Sequence, residues 1–414
     1  MKRILLYILC IIPTLAGCSD FDFATPTHDL NGNTDDVFTN VVLWKNGDYV
    51  GTKSYANFRI PTMMRAKNAL FAFCEGRQST SSDSGDIDII CKKSTDNGTS
   101  WGAATVLLED GVNTVGNPCG VYTKTGRIIL MFNWQVNPSA SELDFNSTLG
   151  VTWAQVAKHP RRVFYTYSDD EGSTWSKPTD LTSLLKKNDW GFCAVGPCHA
   201  IQVQTGAESG RIIVPYDHKE YVNKDTYYYS NVIWSDDNGD NWTLGPKSIL
   251  YGNESSAVEL SDGRIFLDMR NANSDEYKCR AYVISKDGGE TWGNLVYDTD
   301  RPEPTPTSLA TRGCQGSIIN YTTTGVPGST LLFSNPADAT SRIKMTLRVS
   351  YDNGENWPKS IVINSGNSGY SDLAVFGDGS VGILYENGAA SYKEQISYVR
   401  LTKSQLTSVF TELK

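Results

Sequence analysis

The sequence has few of the residues that build metal sites and histidine-dependent catalysis. Its 414 residues include four histidines, scattered along the chain, and its nine cysteines form no C-x-x-C pair. A zinc site, a Ser-His-Asp triad and a dense disulfide framework are therefore not expected. Apart from residues 404–413, for which we expect one short helix, no long segment has a helical apolar period, which argues against a helical fold.

Basic residues are also outnumbered. There are 37 Lys and Arg residues against 46 Asp and Glu residues, a formal net charge of -9. Binding to nucleic acid needs a basic face, so nucleic acid is not an expected partner. No motif indicates a bound cofactor, and none is expected.

The residues that are abundant favour β-structure. Aromatic residues make up 11% of the chain, and there are 36 glycines, which suit pleated strands and tight turns. Apolar runs flank the Asp-Gly turns at 261–264 and 377–380, a pattern typical of β-hairpins. We predict an all-β fold. The seven cysteines beyond residue 18 are expected to be buried apolar side chains, and only Cys193 and Cys198 are close enough in sequence to suggest a local bridge.

The N-terminus has the pattern of a secretion signal. Lys2 and Arg3 precede an apolar run from Ile4 to Leu15, which is too short to span a membrane. The segment 15–18, Leu-Ala-Gly-Cys, resembles the lipobox of bacterial lipoproteins, in which the cysteine is lipidated. We expect residues 1–17 to be a lipoprotein signal peptide, Cys18 the lipid attachment site and residues 18–36 a tether. The alternative is an ordinary secretory signal with a chance cysteine.

One motif, S-x-D-x-G-x-x-W, occurs five times. Its copies start about 50 to 75 residues apart, the length of a four-stranded propeller blade with its loops, at Ser94, Ser168, Ser235, Ser285 and Ser350. The Asp is expected to accept hydrogen bonds from turn N–H groups, the Gly to allow positive φ, and the Trp to pack between neighbouring sheets. A calcium loop is the alternative, but the EF-hand spacing is absent.

The repeats, together with the Phe-Arg-Ile-Pro segment at 58–61, resemble the bacterial exo-sialidases of glycoside hydrolase family 33. This F/Y-R-I-P motif followed by Asp boxes is found in that family, and the resemblance extends from about Val42 to Leu401. It implies a six-bladed β-propeller with Asp-box repeats, over residues 37–414, and an active site at one end of the central axis.

The resemblance also implies the catalytic pair. Tyr370, in Gly-Tyr-Ser-Asp-Leu, matches the family's nucleophile, and Glu254, in Asn-Glu-Ser-Ser-Ala, matches the Glu that accepts its proton. A neutral nucleophile suits sialic acid, because the sugar carries a carboxylate on its anomeric carbon and an ionised Asp or Glu would meet like charge. The alternatives are a tyrosine packed at a sheet edge and a solvated loop acid.

Three arginines match the family's clamp for the substrate carboxylate: Arg59, Arg270 and Arg342. A guanidinium stays charged and donates two parallel hydrogen bonds to a carboxylate. Arg348 is an alternative to Arg342, although it leads into the fifth repeat, where a structural strand arginine is common. A clamp of this kind is expected to tolerate Lys poorly.

Asp83, among turn-forming residues 81–85, matches the family's general acid/base. Asp86 and Asp88 compete for this role, but Asp88 alternates with two isoleucines as a strand residue should. Arg77 resembles a further arginine that supports substrate oxygens. A solvated turn acid and a surface ion pair are the structural alternatives for Asp83 and Arg77.

The sequence therefore predicts a retaining exo-α-sialidase acting on sialylated glycans without a metal. A trans-sialidase or 2,7-anhydro-forming sialidase would use the same residues, and a non-catalytic sialic-acid-binding propeller is a further alternative. The expected location is the bacterial outer membrane or periplasm, with membrane contact only through the N-terminal lipid and exposure on the cell surface as one possibility. Without the lipid, the protein would be secreted.

Overall fold

A computed structural model describes residues 39–222, 225–248, 251–272, 276–305 and 313–413. The expected signal peptide, Cys18 and the tether lie outside the described residues. Within the described residues, no helix is both long enough and apolar enough to cross a membrane.

The described residues form a nearly all-β structure, as predicted. The first strands are β1 (Thr39–Lys45), β2 (Tyr49–Val50), β3 (Lys53–Ser54), β4 (Asn57–Arg65), β5 (Leu70–Arg77), β6 (Ile87–Ser94), β7 (Thr105–Leu108), β8 (Thr114–Tyr122), β9 (Ile128–Gln135), β10 (Arg161–Ser168), β11 (Thr179–Asp180), β12 (Trp190–Val195) and β13 (Ile201–Gln202). They are followed by β14 (Ile212–Val222), β15 (Asp225–Ser235), β16 (Thr243–Leu244), β17 (Ser255–Glu259), β18 (Ile265–Met269), β19 (Cys279–Ser285), β20 (Val296–Pro302), β21 (Ser317–Asn320), β22 (Leu331–Pro336), β23 (Ile343–Ser350), β24 (Lys359–Val375), β25 (Val381–Gly388) and β26 (Gln395–Leu401). The helices are α1 (Trp153–Lys158), α2 (Thr182–Leu185) and α3 (Lys403–Val409).

Four large sheets hold most of these strands. Strands β4 to β11 form one sheet, β12 to β16 a second and β17 to β20 a third, while β21 to β26 join β1 in the fourth. The first strand thus pairs with the last, β26, in antiparallel register. Both predicted hairpins are present, β17–β18 and β24–β25, and the turn glycines Gly263 and Gly379 have φ of +83° and +79°.

The innermost strands form a ring. In turn, β4 contacts β8, β8 contacts β12 and β13, β13 contacts β17, β17 contacts β21, and β21 contacts β24, which returns to β4. Apolar clusters join adjacent sheets, for example the cluster that contains Met131 of the first sheet and Val195 and Val214 of the second. The sheets are therefore arranged around an axis, in a β-propeller-like fold.

The five repeated motifs form turns with one hydrogen-bond pattern. In each, the Ser hydroxyl donates to the Asp carboxylate and accepts from the Gly N–H. The same carboxylate also accepts the backbone N–H four residues further on. The indole rings pack on neighbouring strands, as Trp101 does on Tyr398 of β26, with 5.2 Å between ring centroids. These turns thus fasten neighbouring sheets together.

The strand registers place the repeated turns at one end of the strands. Arg77 at the end of β5 pairs with Ile87, whereas the first repeated turn begins at Ser94, which pairs with Leu70. The same holds in the third sheet, where Ile265 pairs with Ser285 at the turn end and Met269 pairs with Ala281 near the other end. One end of the strands therefore carries the turns, and the other is free to form a site.

Two details correct or complete the sequence expectations. The last helix, α3, is shorter than the expected 404–413: it begins at Lys403, capped by Thr402, and ends at Val409. All seven cysteines in the described residues are buried, and Cys193 and Cys198 form no bridge. The expectation of buried cysteine side chains is confirmed.

Candidate active site

All seven predicted side chains of the active site line one pocket of about 650 Å³ at the end of the inner strands opposite the repeated turns. They are Arg59, Arg77, Asp83, Glu254, Arg270, Arg342 and Tyr370. Further lining residues, including Asn117, Arg161 and Phe192, come from β8, β10 and β12. The seven predicted side chains, up to 311 positions apart in the sequence, thus share a single cavity.

Tyr370 and Glu254, which both line the pocket, are joined by a short hydrogen bond. The Tyr370 hydroxyl lies 2.6 Å and 2.7 Å from the two Glu254 carboxylate oxygens and donates to the carboxylate. Tyr370 lies at a β-bulge between Ser368 and Ser371, where the β24–β25 register shifts. A bulge re-aims a side chain, which explains how a strand residue reaches Glu254, just before β17.

The phenol of Tyr370 is neutral at neutral pH. Burial raises the pKa of Tyr370 well above its ordinary value, and the negative charge of Glu254 adds to this effect, while Arg270 and Arg342 oppose it. The Tyr370 proton therefore stays on the phenol oxygen, which donates it in the hydrogen bond to Glu254. Arg270 Nη1 contacts both groups, at 2.7 Å from Glu254 Oε2 and 3.1 Å from the Tyr370 hydroxyl.

Arg59 is held by Glu386, a buried acid on β25. Its Nε and Nη2 donate to the two carboxylate oxygens at 2.6 Å and 3.2 Å. The same carboxylate accepts the backbone N–H of Ile60 at 2.9 Å and that of Tyr370 at 3.0 Å. Ile60 has φ of +60°, which is unfavourable for a β-branched residue. Glu386 therefore joins an arginine, a strained segment and the backbone of the tyrosine.

Arg342 differs from Arg59 and Arg270 because no carboxylate pairs with it among the described residues. Its Nη2 donates to the carbonyl of Gly313 at 3.0 Å, and its Nη1 donates to the Tyr392 hydroxyl at 3.3 Å. Its Nε is buried without a hydrogen-bond partner in the described part of the chain. Arg342 is therefore a cation in the pocket without an acidic partner among the described residues, and it can bind an anion. Arg348, the alternative, does not line the pocket and contacts Asn335 at 3.4 Å.

Asp83 lies at the pocket rim in the loop between β5 and β6, with 90% of its side chain exposed. Its carboxylate accepts from Arg77 Nη1 at 2.8 Å. The surrounding pocket walls would raise the pKa of Asp83 by desolvation, but the positive charges of Arg77 and Arg59 outweigh this and hold it below its ordinary value. Of the three competing acids, only Asp83 lines the pocket; Asp88 is buried against Tyr55, and Asp86 lies beside Asp88.

Arg77 is fixed from behind by Glu75. Its Nε and Nη2 donate to Glu75 Oε2 at 3.0 Å and 2.7 Å, while the other carboxylate oxygen accepts the Asn117 N–H at 2.9 Å. Glu75 and Arg77 are both buried, so this ion pair is not the surface pair considered as an alternative. The pair holds one guanidinium nitrogen towards the rim and Asp83.

Sequence reasoning missed the acids behind the arginines and one whole wall of the pocket. Glu75 lies two positions before Arg77, on the same strand face, and Glu386 is a lone acid in an apolar strand; both patterns indicate a buried, paired charge. Arg161 stacks 4.5 Å from the Phe192 ring and donates to Gln135 and Asn117. Nothing local in the sequence marks this wall, or Tyr392 beside Arg342.

The arrangement combines three chemical capabilities. Arg342 offers an unpaired positive charge for an anionic group, Tyr370 and Glu254 can exchange a proton over a short hydrogen bond, and Asp83 presents a titratable carboxyl at the rim. Among the described residues, no group of three or more His, Cys, Asp or Glu side chains is arranged to hold a metal ion. These features suit the binding of an anionic substrate and a nucleophile that gives its proton to a neighbouring base as it reacts.

Comparison with known proteins identifies the family to which the chain is similar. Residues 68–383 match the model of the BNR repeat-like domain. A sialidase of Paraclostridium sordellii is 31% identical over 395 residues, which cover 89% of this chain and 90% of that protein. A sialidase of Micromonospora viridifaciens is 31% identical over 354 residues. The match covers 82% of this chain but only about half, 51%, of that longer protein.

Solved structures agree with these relatives. A Hadza microbial sialidase is similar at a TM-score of 0.70 and 27% identity, over 86% of this chain and 67% of that chain. Intramolecular trans-sialidases and an anhydrosialidase are among the other similar proteins. The matching domain model, the two sialidases of 31% identity and this structural similarity together show that the chain belongs to the sialidase family of glycoside hydrolases.

Proposed function

We propose that this protein is a retaining exo-α-sialidase that removes terminal sialic acid from glycoproteins, gangliosides and oligosaccharides through a covalent bond to Tyr370. The observation that carries this proposal is the hydrogen bond of the Tyr370 hydroxyl to both oxygens of Glu254, at 2.6 Å and 2.7 Å, beneath the arginine cluster. A neutral phenol can approach an anomeric carbon that bears a carboxylate, which an ionised acid cannot do without repulsion.

Binding would rest on the arginines. Arg59 and Arg270 already have acidic partners, so their net charge in the pocket is largely compensated. Arg342 has no such partner among the described residues, and it would supply the attraction for the substrate carboxylate. The chain as a whole is acidic, so this attraction must act locally, at distances below the screening length.

In the first step, the Tyr370 oxygen forms a bond to the anomeric carbon while its proton passes to Glu254. The glycosidic bond breaks, and protonated Asp83 donates its proton to the departing glycan oxygen. In the second step, Asp83 accepts a proton from water, the water oxygen bonds to the anomeric carbon, and the carbon–Tyr370 bond breaks as Glu254 returns the proton. Each displacement inverts the configuration of the anomeric carbon, so the two together retain it.

For the fold, we propose six blades within a catalytic domain of residues 37–414. The eight-stranded sheet would supply two, β4 to β7 and β8 to β11, and the sheets β12 to β16 and β17 to β20 one each. The long strand β24 pairs with β23 through its first part and with β25 through its second, so it would serve two further blades. The ring of inner-strand contacts supports this division.

A transfer reaction is the second candidate within the same chemistry. A trans-sialidase or 2,7-anhydro-forming sialidase would form the same Tyr370 intermediate and differ in the group that attacks it: an acceptor sugar, or the substrate's own O7. A non-catalytic sialic-acid-binding propeller is less favoured, because it would need the arginines but not the short contact between Tyr370 and Glu254.

One assay tests these alternatives. The protein is incubated with sialyllactose isomers of α2,3 and α2,6 linkage, and the products are identified by NMR. Free sialic acid supports the hydrolase, whereas a 2,7-anhydro product or a new sialoside supports transfer. Binding without release over a long incubation would replace the proposal with a lectin, and Tyr370→Phe should abolish any release.

We also propose that the protein is a lipoprotein attached through Cys18, after removal of residues 1–17, in the bacterial outer membrane or periplasm. The lipobox-like segment 15–18 supports this. Metabolic labelling with a fatty acid should mark the wild-type chain but not Cys18→Ala. An unlabelled wild-type chain, found in the medium, would indicate a secreted protein instead.

A further inference from the structure

Tyr392 lies against two of the arginines assigned to the carboxylate clamp. It belongs to the rim loop, residues 389–394, which connects β25 and β26. The Arg59 guanidinium carbon is 5.4 Å from the centre of the Tyr392 ring, and that of Arg342 is 5.2 Å from it. Both distances are within the range of cation–π attraction. One side chain thus contacts two positive groups of the pocket.

The same two arginines also contact the Tyr370 ring, at 5.3 Å and 5.5 Å. Arg59 and Arg342 are therefore in contact with two aromatic rings each. For Arg59 this adds to its ion pair with Glu386. Arg342 has no carboxylate partner among the described residues, so the two rings are its main electrostatic compensation. This arrangement lets Arg342 remain in the pocket without neutralising the charge that an anion would bind.

The rim loop holds Tyr392 in place through the loop's own hydrogen bonds. The Glu394 carboxylate accepts the N–H groups of Ala389, Ala390 and Ser391 at 2.8 Å, 3.0 Å and 3.1 Å. Asn57, next to the Phe-Arg-Ile-Pro segment, donates to the Lys393 carbonyl at 2.6 Å. The ring is thus preorganised, which reduces the entropy lost when a ligand binds.

The Tyr392 ring also packs directly on the segment that carries Tyr370. A Cβ atom added at Gly369 would lie 2.8 Å from Tyr392 Cδ2, closer than such atoms pack. The Tyr392 hydroxyl accepts from Arg342 Nη1 at 3.3 Å, and no acceptor for its own proton is found in the described part of the chain. That proton is available to an oxygen bound beside Arg342.

We propose that Tyr392 is a carboxylate-specificity residue of this pocket: its ring holds Arg59 and Arg342 in position, and its hydroxyl donates a further hydrogen bond to the carboxylate of the ligand. This inference rests on the proposed function, because it takes the sialic acid carboxylate as that ligand. It assigns Tyr392 to binding, and not to the making or breaking of the glycosidic bond.

The experiment compares Tyr392→Leu, which lacks ring and hydroxyl, with Tyr392→Phe, which lacks only the hydroxyl. Tyr49→Leu, at an exposed position of β2, controls for the loss of a tyrosine. Steady-state kinetics use 3′-sialyllactose, and calorimetry measures binding of free sialic acid and of its uncharged methyl ester. Thermal unfolding checks that each variant is folded.

We expect Tyr392→Leu to raise KM and weaken sialic acid binding by about tenfold, with kcat within about threefold of wild type. Tyr392→Phe should lose about threefold in affinity for sialic acid, and both variants should lose less affinity for the methyl ester than for the acid. Wild-type affinity in Tyr392→Leu, or an equal loss for acid and ester, would overturn the inference. If the wild-type protein neither binds nor releases sialic acid, the proposed function itself fails.

Discussion

The two ends of the inner strands carry opposite kinds of structure. At one end, five turns repeat the same hydrogen bonds between Ser, Asp and Gly, and three of their Asp residues are exposed while two are half-buried. At the other end, seven predicted side chains and their partners converge without any repeat, and several of their charges are buried. The turn end links neighbouring sheets, whereas the pocket end keeps charged groups in an arrangement that the fold alone does not require.

This difference has an energetic basis. A turn carboxylate satisfied by its own backbone needs no distant partner and tolerates water. A buried arginine must be paired, because desolvation of an unpaired charge costs several kcal/mol. Arg59 and Arg77 meet this need with Glu386 and Glu75, and Arg342 meets it only in part. We infer that the buried charges at the pocket end lower the stability of the fold and serve binding. The turns at the other end stabilise the fold and have no role in the chemistry.

The largest expected difference in kcat is between a tyrosine variant at the pocket end and one at the turn end. Tyr370→Phe should lower kcat by at least about 10⁴-fold, because it removes the oxygen that we propose as the nucleophile and retains the ring that contacts Arg59 and Arg342. Tyr321→Phe removes a buried hydroxyl at the turn end, where it donates to the Gly379 carbonyl. That variant should lose about 1 kcal/mol of stability and keep its kcat. Comparable kcat in the two variants, measured by sialic acid release, would refute the catalytic assignment.

The next comparison removes one buried carboxylate from each end. Glu386→Gln leaves the Arg59 guanidinium buried without its counter-ion, and we expect it to lower the free energy of unfolding by about 3–5 kcal/mol. Within the described residues, the Glu259 carboxylate accepts hydrogen bonds from Gln204 and Thr205 and has no arginine or lysine partner, so Glu259→Gln should cost about 1–2 kcal/mol. Urea unfolding of both variants measures the difference. Equal losses of unfolding free energy would show that the Glu386 carboxylate stabilises the fold no more than the Glu259 carboxylate does.

Sequence reasoning was successful where the structure is local. The five turns, the two Asp-Gly hairpins, the all-β class and the buried cysteines each depend on residues close together in the chain. The seven pocket residues were found through family motifs, and the structure brings them to one cavity, although their roles stay predictions. Glu386 and Tyr392 were missed because their roles depend on contacts with residues that are far away in the sequence. Glu386, for example, is 327 positions from Arg59. The β4–β5 register shifts between Arg59 and Thr62, around Ile60, as the β24–β25 register shifts around Tyr370. No local sequence pattern reveals these register shifts.

A third test concerns the arginine that lacks a buried acid. Arg342→Lys should raise KM by about tenfold, since an ammonium cannot donate two parallel hydrogen bonds to a carboxylate. The unfolding free energy should change by less than about 1 kcal/mol, because Arg342 has no carboxylate partner to lose in the described structure. Steady-state kinetics and urea unfolding check both parts. A large loss of stability with unchanged KM would make Arg342 a structural residue.

Asp83 and Asp170 allow a comparison of two exposed acids with lowered pKa values. For Asp83 the lowering comes from Arg77 and Arg59, against desolvation. As a general acid it must be protonated, so kcat/KM should rise as the pH falls from 7 towards 5. Arg77→Gln removes one of these charges, which should raise the pKa of Asp83 and move this rise to higher pH. An unshifted profile in that variant, measured on sialyllactose, would exclude Asp83 as the titrating acid.

For Asp170, hydrogen bonds from Thr174 and Ser168 lower the pKa to about 2, so the effect should appear in stability and not in activity. A carboxyl whose pKa is lower in the folded state than in the unfolded state, about 3.9, stabilises the fold above that value and loses its contribution as the pH falls through the folded pKa. Asp170→Ala should therefore have a lower Tm than wild type at pH 7, and the gap should shrink between about pH 4 and pH 2. Its kcat/KM should equal that of wild type. A constant Tm difference would show that the charge of Asp170 is irrelevant to the turn, and a fall in kcat/KM would mean that the two ends are coupled.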